Sequence, residues 1–182
     1  MPYDAPPQLA EMSLFDIAKA LEERRLPPIE KWNPEEEIDS RMRIAADGTW
    51  FHDGTPINRP AMVRAFSSLL LREESVRHVL LTPQCRQPIA VEDAAFVAVD
   101  MLEKDGALAF RLNTDELVLA GPDNPLRAEG DAEAPAIYLA VRHGCEARIN
   151  RSTWLQLVEA ADFVDGVPSV TSQGATFPLV PQ

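Results

Sequence analysis

Cysteine, glycine and lysine are all scarce in this chain. Two cysteines, Cys85 and Cys145, cannot build a disulfide framework, and they fit a reducing, cytoplasmic setting. Eight glycines in 182 residues leave no room for a glycine-rich phosphate loop. No Walker loop, G-x-S-x-G elbow or dinucleotide-binding pattern is present. No apolar run approaches the roughly 18 residues that span a bilayer. The start, Met1-Pro2-Tyr3-Asp4, lacks the basic leader and apolar segment of a secretory signal. Membrane association is therefore not expected, and the Asn150-Arg151-Ser152 sequon has no route to glycosylation. The three histidines (His52, His78 and His143) lie far apart, so no pair has metal-ligand spacing. His143 and Cys145 sit two residues apart in a predicted turn, a spacing that suits neither a metal nor a nucleophile pair. These absences predict a protein with no catalytic residue, no metal and no cofactor.

What is there belongs to an ordinary folded protein: 46% apolar residues, 25% charged residues and 16 prolines that fix turns. The net charge is −12, which opposes general nucleic-acid binding. Its distribution is uneven. Residues 1–40 and 91–182 are acidic, with nets of −6 and −9, whereas residues 41–90 carry +3. All seven cations of that middle block are arginines: Arg41, Arg43, Arg59, Arg64, Arg72, Arg77 and Arg86. A guanidinium fork suits phosphates and carboxylates. The chain as a whole also prefers arginine, 14 to 3 lysines, so composition alone explains part of the block.

Residues 1–8 read as a loose proline-rich start. Ser13 and Asp16 make a capping box for a helix whose stripe is Leu14, Phe15, Ile17, Ala18 and Leu21. Pro27-Pro28 stops it, and Ile29 to Pro34 is expected to be extended. Glu35-Glu36-Glu37 reads as a solvated charge run. Beyond Ile38 the apolar period becomes two, with hairpin signals at Asp47-Gly48, Asp53-Gly54, Asp105-Gly106 and His143-Gly144. Pro60 opens a second helix with the stripe Met62, Val63, Phe66, Leu69 and Leu70. Strands are predicted around Val76–Leu81, Ile89–Val91, Phe96–Val99, Leu108–Leu112, Leu117–Leu119, Ile137–Val141 and Glu146–Ile149. A third helix is expected from about Arg151 to Ala161. Beyond Asp165, three prolines predict a tail without regular structure.

One tripeptide recurs. Ile57-Asn58-Arg59 and Ile149-Asn150-Arg151 each precede a helix, 92 positions apart. At that offset Met62, Val63, Phe66 and Leu69 fall on Trp154, Leu155, Val158 and Ala161. Each copy follows a glycine-containing hairpin turn, and Asn is a good N-cap in both. This points to duplication, with two α+β subdomains at 1–86 and 87–182. Each is an antiparallel sheet covered by a helix, and the first has an extra leading helix. Several strands followed by one terminal helix give the second copy the layout of a pleckstrin-homology-like curved sheet or barrel, an analogy that does not fix function.

A set of segments supports a family comparison. They are Pro28-Ile29-Glu30-Lys31-Trp32-Asn33-Pro34, Asp47-Gly48-Thr49-Trp50-Phe51, Gly54-Thr55-Pro56-Ile57 with Arg59-Pro60, Leu81-Thr82-Pro83, Val91-Glu92-Asp93-Ala94 and Ala120-Gly121-Pro122-Asp123. Over about residues 28–162 the chain resembles the bacterial domain of unknown function 1285 family. It departs between Asn33 and Ile38, where acidic residues replace a shorter link, and at Asn58, where glycine is common. The resemblance implies a duplicated α+β protein with a pleckstrin-homology-like second half. It also implies a nucleotide-type ligand between the halves and a role in signalling.

Taken together, these readings predict a non-enzymatic ligand-binding or regulatory protein. A nucleotide-like anion would lie between the halves, held by Arg43, Arg59, Arg142 and Arg151. Arg59 and Arg151 stand at helix starts, where backbone N–H groups already favour anions. Trp50, beside a turn, is either core or a stacking platform, whereas Trp154 lies on a core stripe. A competing account has these arginines bridging the domains to carboxylates and binding nothing. The alternative function is a protein-interaction module using a sheet edge or the proline-rich tail.

Overall fold

The computed structural model describes residues 12, 13, 15–17, 19 and 25–182. Ser13 and Asp16 form the expected reciprocal cap, each backbone N–H donating to the other's side chain at 3.1 Å. The helical turn they start buries Ile17, together with Met12, against Ala109 and Leu117. Phe15 points to solvent instead of joining the stripe. Leu14, Ala18 and Leu21, like residues 1–8, fall outside the described residues. Ile29–Lys31 is a short 3-10 turn with Ile29 buried, where extended chain was expected.

The first half is one open sheet with one helix. Its elements are β1 (Glu36–Glu37), β2 (Met42–Ile44), β3 (Trp50–His52), β4 (Thr55–Pro56), α1 (Pro60–Ser67), β5 (Leu70–Arg72), β6 (His78–Leu81) and β7 (Cys85–Val91). The order across the sheet is β4-β3-β2-β7-β6-β5. β7 serves two short parallel neighbours, facing β1 at Cys85 and β2 at Val91. The 86/87 division falls inside β7, which stays in the first sheet throughout. Glu36 and Glu37 are exposed, as a charge run should be, although they also make strand β1. Leu70, placed on the helix stripe by its spacing, opens β5 instead.

The second half contains β8 (Phe96–Lys104), β9 (Ala107–Leu112), β10 (Leu117–Leu119), β11 (Leu126–Asp131), β12 (Ala134–Arg142), β13 (Cys145–Ile149) and α2 (Arg151–Glu159). Its sheet order is β10-β9-β8-β13-β12-β11, with β8 and β13 parallel. β10 and β11 end the sheet without pairing to each other, so it is open and the expected barrel is overturned. Two sheet-rich halves with few helices result.

The predicted irregular tail is also overturned. Residues 162–178 form a three-stranded meander of β14 (Asp162–Val164), β15 (Val167–Ser172) and β16 (Ala175–Pro178). Its turns, Asp165-Gly166 and Gln173-Gly174, have both residues at positive φ, the geometry of tight two-residue hairpins. The meander is anchored internally. Ser172, fully buried, accepts from Leu108 N–H at 2.8 Å and donates to the Ala120 carbonyl at 2.7 Å. Val170, Phe177 and Leu179 enter the main hydrophobic core. That core runs from Ile44, Trp50 and Leu80 of the first half to Phe96, Phe110 and Leu139 of the second, so the halves share it.

The two helices differ in ways that their matching stripes conceal. Asn150 caps α2, its side-chain oxygen accepting from Thr153 N–H at 2.9 Å. Asn58 does not cap α1; Arg59 holds that position, with Pro60 following and no side-chain cap at all. Val63 and Phe66 pack against the core, whereas their expected equivalents Leu155 and Val158 are 57% and 46% exposed. α2 turns Thr153 and Leu157 inward instead. Trp154 is partly buried against the core, in keeping with a structural role.

Candidate functional site

Hydrogen bonds to backbone carbonyls cross the seam between the halves. Arg72 N–H of β5 donates to the His143 carbonyl at the β12–β13 turn, at 2.9 Å. Gly144 beside it has φ +76, and a side chain there would meet the Arg72 carbonyl oxygen at 2.9 Å. Asn113, in the turn after β9, donates from its side-chain amide to the Gly48 carbonyl at 3.3 Å. Arg142 at the end of β12 donates to the Ser67 carbonyl at the end of α1, at 3.2 Å.

A cleft of about 310 Å³ opens where the Asp47-Gly48-Thr49 turn, the α1 start and the Asn113-Thr114-Asp115 turn converge. Local chemistry fixes each wall. Asp47 accepts from Thr49 N–H at 2.9 Å, and these bonds hold its carboxyl below the usual range. Asn113 is braced against β8, its side-chain oxygen accepting from Val97 N–H at 3.0 Å. Asp115 takes a positive φ of 65, and burial pushes its carboxyl pKa up.

Two polar atoms among the cleft-lining residues lack a partner. Trp50 is 1% exposed and Thr114 5% exposed, and neither Trp50 Nε1 nor Thr114 Oγ1 makes a hydrogen bond. A buried orphan of this kind costs about 1–3 kcal/mol. The Trp50 ring itself packs in the core, stacked on Phe66 with centroids 6.4 Å apart. It offers no platform for a base; only its indole N–H remains to be used.

The predicted arginines do not converge on one anion. Arg43 pairs with Glu92 and lies over the Phe51 ring at 4.2 Å. Arg142 pairs with Glu116, with side chains 11% and 6% exposed, and lies over Phe96 at 5.1 Å. Both have carboxylate partners, each within its own half, so neither ion pair bridges the two halves. Arg59 and Arg151 are exposed at helix starts, Arg59 standing between the cleft residues Asn58 and Pro60. Among the described residues no group of three His, Cys, Asp or Glu side chains can hold a metal. Cys145 is inert as a nucleophile, because burial pushes its thiol up to about 12.

Sequence reasoning passed over Asn113, Thr114 and Asp115. The polar run between the apolar strands Leu108–Leu112 and Leu117–Leu119 marked a turn, but nothing in it marked a cleft wall.

Family models cover most of the chain. Residues 27–94 match the N-terminal domain, and residues 95–179 the C-terminal domain, of DUF1285, a domain of unknown function. This chain belongs to the DUF1285 family. A DUF1285 family protein from Silicibacter pomeroyi DSS-3, solved at 2.50 Å, is 43% identical with a TM-score of 0.80. That match covers 93% of this chain and 95% of that one. A second DUF1285 structure, from Shewanella baltica OS155 at 1.40 Å, is 20% identical with a TM-score of 0.54. It covers 65% of this chain and 90% of that one, and it shows the shared fold alone. No curated protein matches. The DUF1285 chain has no described helix long and apolar enough to cross a membrane.

Proposed function

We propose that this protein is a ligand-binding regulatory module that takes a nucleotide-like small molecule in the Trp50 cleft, between its halves. The observation that carries this reading is the pair of unpartnered buried groups, Trp50 Nε1 and Thr114 Oγ1, on one cleft. A heterocycle edge or a sugar offers both the acceptor and the donor that these groups need. Asp115 and the Asn58 amide supply further acceptors. The phosphate end faces the uncapped start of α1, where Arg59 adds a charge that the acidic cleft floor lacks.

The same reading takes the halves as copies of one unit. Each contains a hairpin, a helix and a three-strand antiparallel meander in that order: β2–β3, α1 and β5–β7, then β12–β13, α2 and β14–β16, with β4 added before α1 and β8–β11 preceding the second set. It takes the second half as pleckstrin-homology-like, with α2 against β8 through Gln156, whose amide donates to Asp100 at 2.9 Å. Module duplication with a ligand at the junction suits a signalling role.

The test is a thermal-shift panel of nucleosides, mononucleotides and cyclic nucleotides. A ligand at 100 times its dissociation constant stabilises by about 2.7 kcal/mol. At about 2–4 °C per kcal/mol this is roughly 5–11 °C. Thr114→Val keeps the shape of the wall and removes the orphan hydroxyl, so it abolishes the shift without lowering the apo Tm. A flat panel refutes the reading, as does a full shift retained by Thr114→Val.

A sheet-edge interaction module is the second reading, favoured by β14. All three of its residues are exposed, Phe163 among them, on the edge of the small sheet.

A further inference from the structure

A second pocket on the seam, of about 170 Å³, shares no lining residue with the Trp50 cleft. It is walled by β5 and β6 of the first half and by β11, β12 and β13 of the second. Its charges sum to near neutrality, but they are not evenly matched. Arg127 takes Glu146 with both prongs of its fork, at 2.6 and 2.8 Å, and also pairs with Glu129. Tyr138 OH donates to Asp93 at 2.6 Å, and Arg148 donates to the other oxygen of that carboxylate at 3.1 Å. Of the two arginines that line the pocket, Arg72 is the one these pairs hold less tightly. Arg72 has a buried Nε with no partner, and its ionic contact is Glu146 at 3.8 Å, a carboxylate both of whose oxygens are already held. Beside it on the paired strand, directly opposite in register, stands His78.

The backbone of Arg72 is fixed at the seam by its bond to His143 and by the close approach of Gly144. The start of the side chain is thereby placed at the pocket, and its planar guanidinium fork matches two oxygens of one acid group. We propose that this pocket is a binding site for a small oxyanion, a carboxylate or a phosphate group, held by the Arg72 fork with His78 as a second donor. The space admits a group of a few heavy atoms and excludes a whole nucleotide, so this site is separate from the one proposed at Trp50.

His78 makes the site pH-responsive. Burial, and then Arg72, hold its pKa below the ordinary value, while Glu146 on β13 opposes them. The other groups facing the pocket are Asp93, Arg127, Glu129 and Tyr138; its register partner on β7 is the apolar Ile89. An oxyanion bound beside His78 favours the imidazolium, so binding tightens as pH falls into the lowered range where this imidazole takes up its proton.

The experiment uses the full chain with sodium acetate and inorganic phosphate as probes, titrated against sodium chloride at matched ionic strength. His78 imidazole shifts are followed by NMR and assigned with His78→Gln. Saturable shifts with acetate, phosphate or both support the site, and which probe saturates names its source. Arg72→Gln should weaken that binding at least tenfold, and Arg72→Lys, which keeps charge but loses the fork, should fall between. If Arg72→Gln fails to fold, His78→Gln serves instead, with binding read from the thermal shift that the probe produces: it retains that shift at neutral pH but loses the tightening at low pH, and a tightening kept in full overturns the role of His78. Responses indistinguishable from chloride overturn the proposal, as does Arg72→Gln titrating like the natural chain. Neither result touches the nucleotide panel, whose readout is Thr114→Val.

Discussion

The Arg142–Glu116 pair lies within the second half and positions the guanidinium that reaches across to Ser67, so it measures one support of the seam. Glu116 lies between β9 and β10 at 6% side-chain exposure, Arg142 ends β12 at 11%, and the same guanidinium reaches the Ser67 carbonyl of α1. Removing one member of a buried pair strands the other charge, which costs about 3–5 kcal/mol, whereas replacing both by apolar groups is close to neutral. Arg142→Met should therefore lower stability by about 3–5 kcal/mol, with a Tm drop of roughly 6–20 °C at this chain length. The double variant Arg142→Met with Glu116→Leu should recover most of that loss. Urea unfolding with all four members of the cycle gives the coupling energy directly. If Arg142→Met melts within 1 °C of the natural chain, or if the two substitutions simply add, the pair does not hold the seam. Arg142 would then return to the list of ligand-facing arginines.

Two further outcomes follow from single buried groups. Ser172→Ala removes the hydroxyl shared by Leu108 N–H and the Ala120 carbonyl; a loss of about 2–4 kcal/mol is expected in urea unfolding, against no more than about 0.5 for the exposed Thr171→Ala. Asp115 has a raised pKa, so its ionisation in the folded state opposes folding as pH rises above the ordinary carboxyl value of 3.8. Asp115→Asn should therefore raise Tm at pH 7 more than at pH 3, with asparagine comfortable at the positive φ; equal gains at both values would contradict the burial effect.

Local chemistry was legible wherever it acts alone. The Ser13–Asp16 cap, Pro60 at the start of α1 and the Asp53-Gly54 and Asp105-Gly106 hairpins all stand as the residues imply. The tail was misread because three prolines outweighed two turn signals, Asp165-Gly166 and Gln173-Gly174. Pro168 is accommodated in β15 opposite Phe163, and Pro178 ends β16. Helix α2 shows a different limit. Leu155 and Val158 have the spacing of a core stripe, but the side of the helix that meets β8 is set by Gln156 bonding to Asp100 and Met101. The site was least legible. An arginine at a strand end looks the same whether it awaits a ligand or pairs with Glu116, which lies 26 residues away. That Thr114 Oγ1 has no partner is a property of everything packed around it, which no spacing encodes.

Each half closes its sheet with a parallel pairing between distant strands, Arg43 beside Ala90 and Phe96 beside Ala147. Each such closure gathers about fifty residues of chain before its ladder can form, an entropic hurdle that short hairpins do not face. Refolding should accordingly run on the millisecond-to-second scale of proteins dominated by non-local contacts. The hairpins would zip early, and the parallel ladders would set the pace.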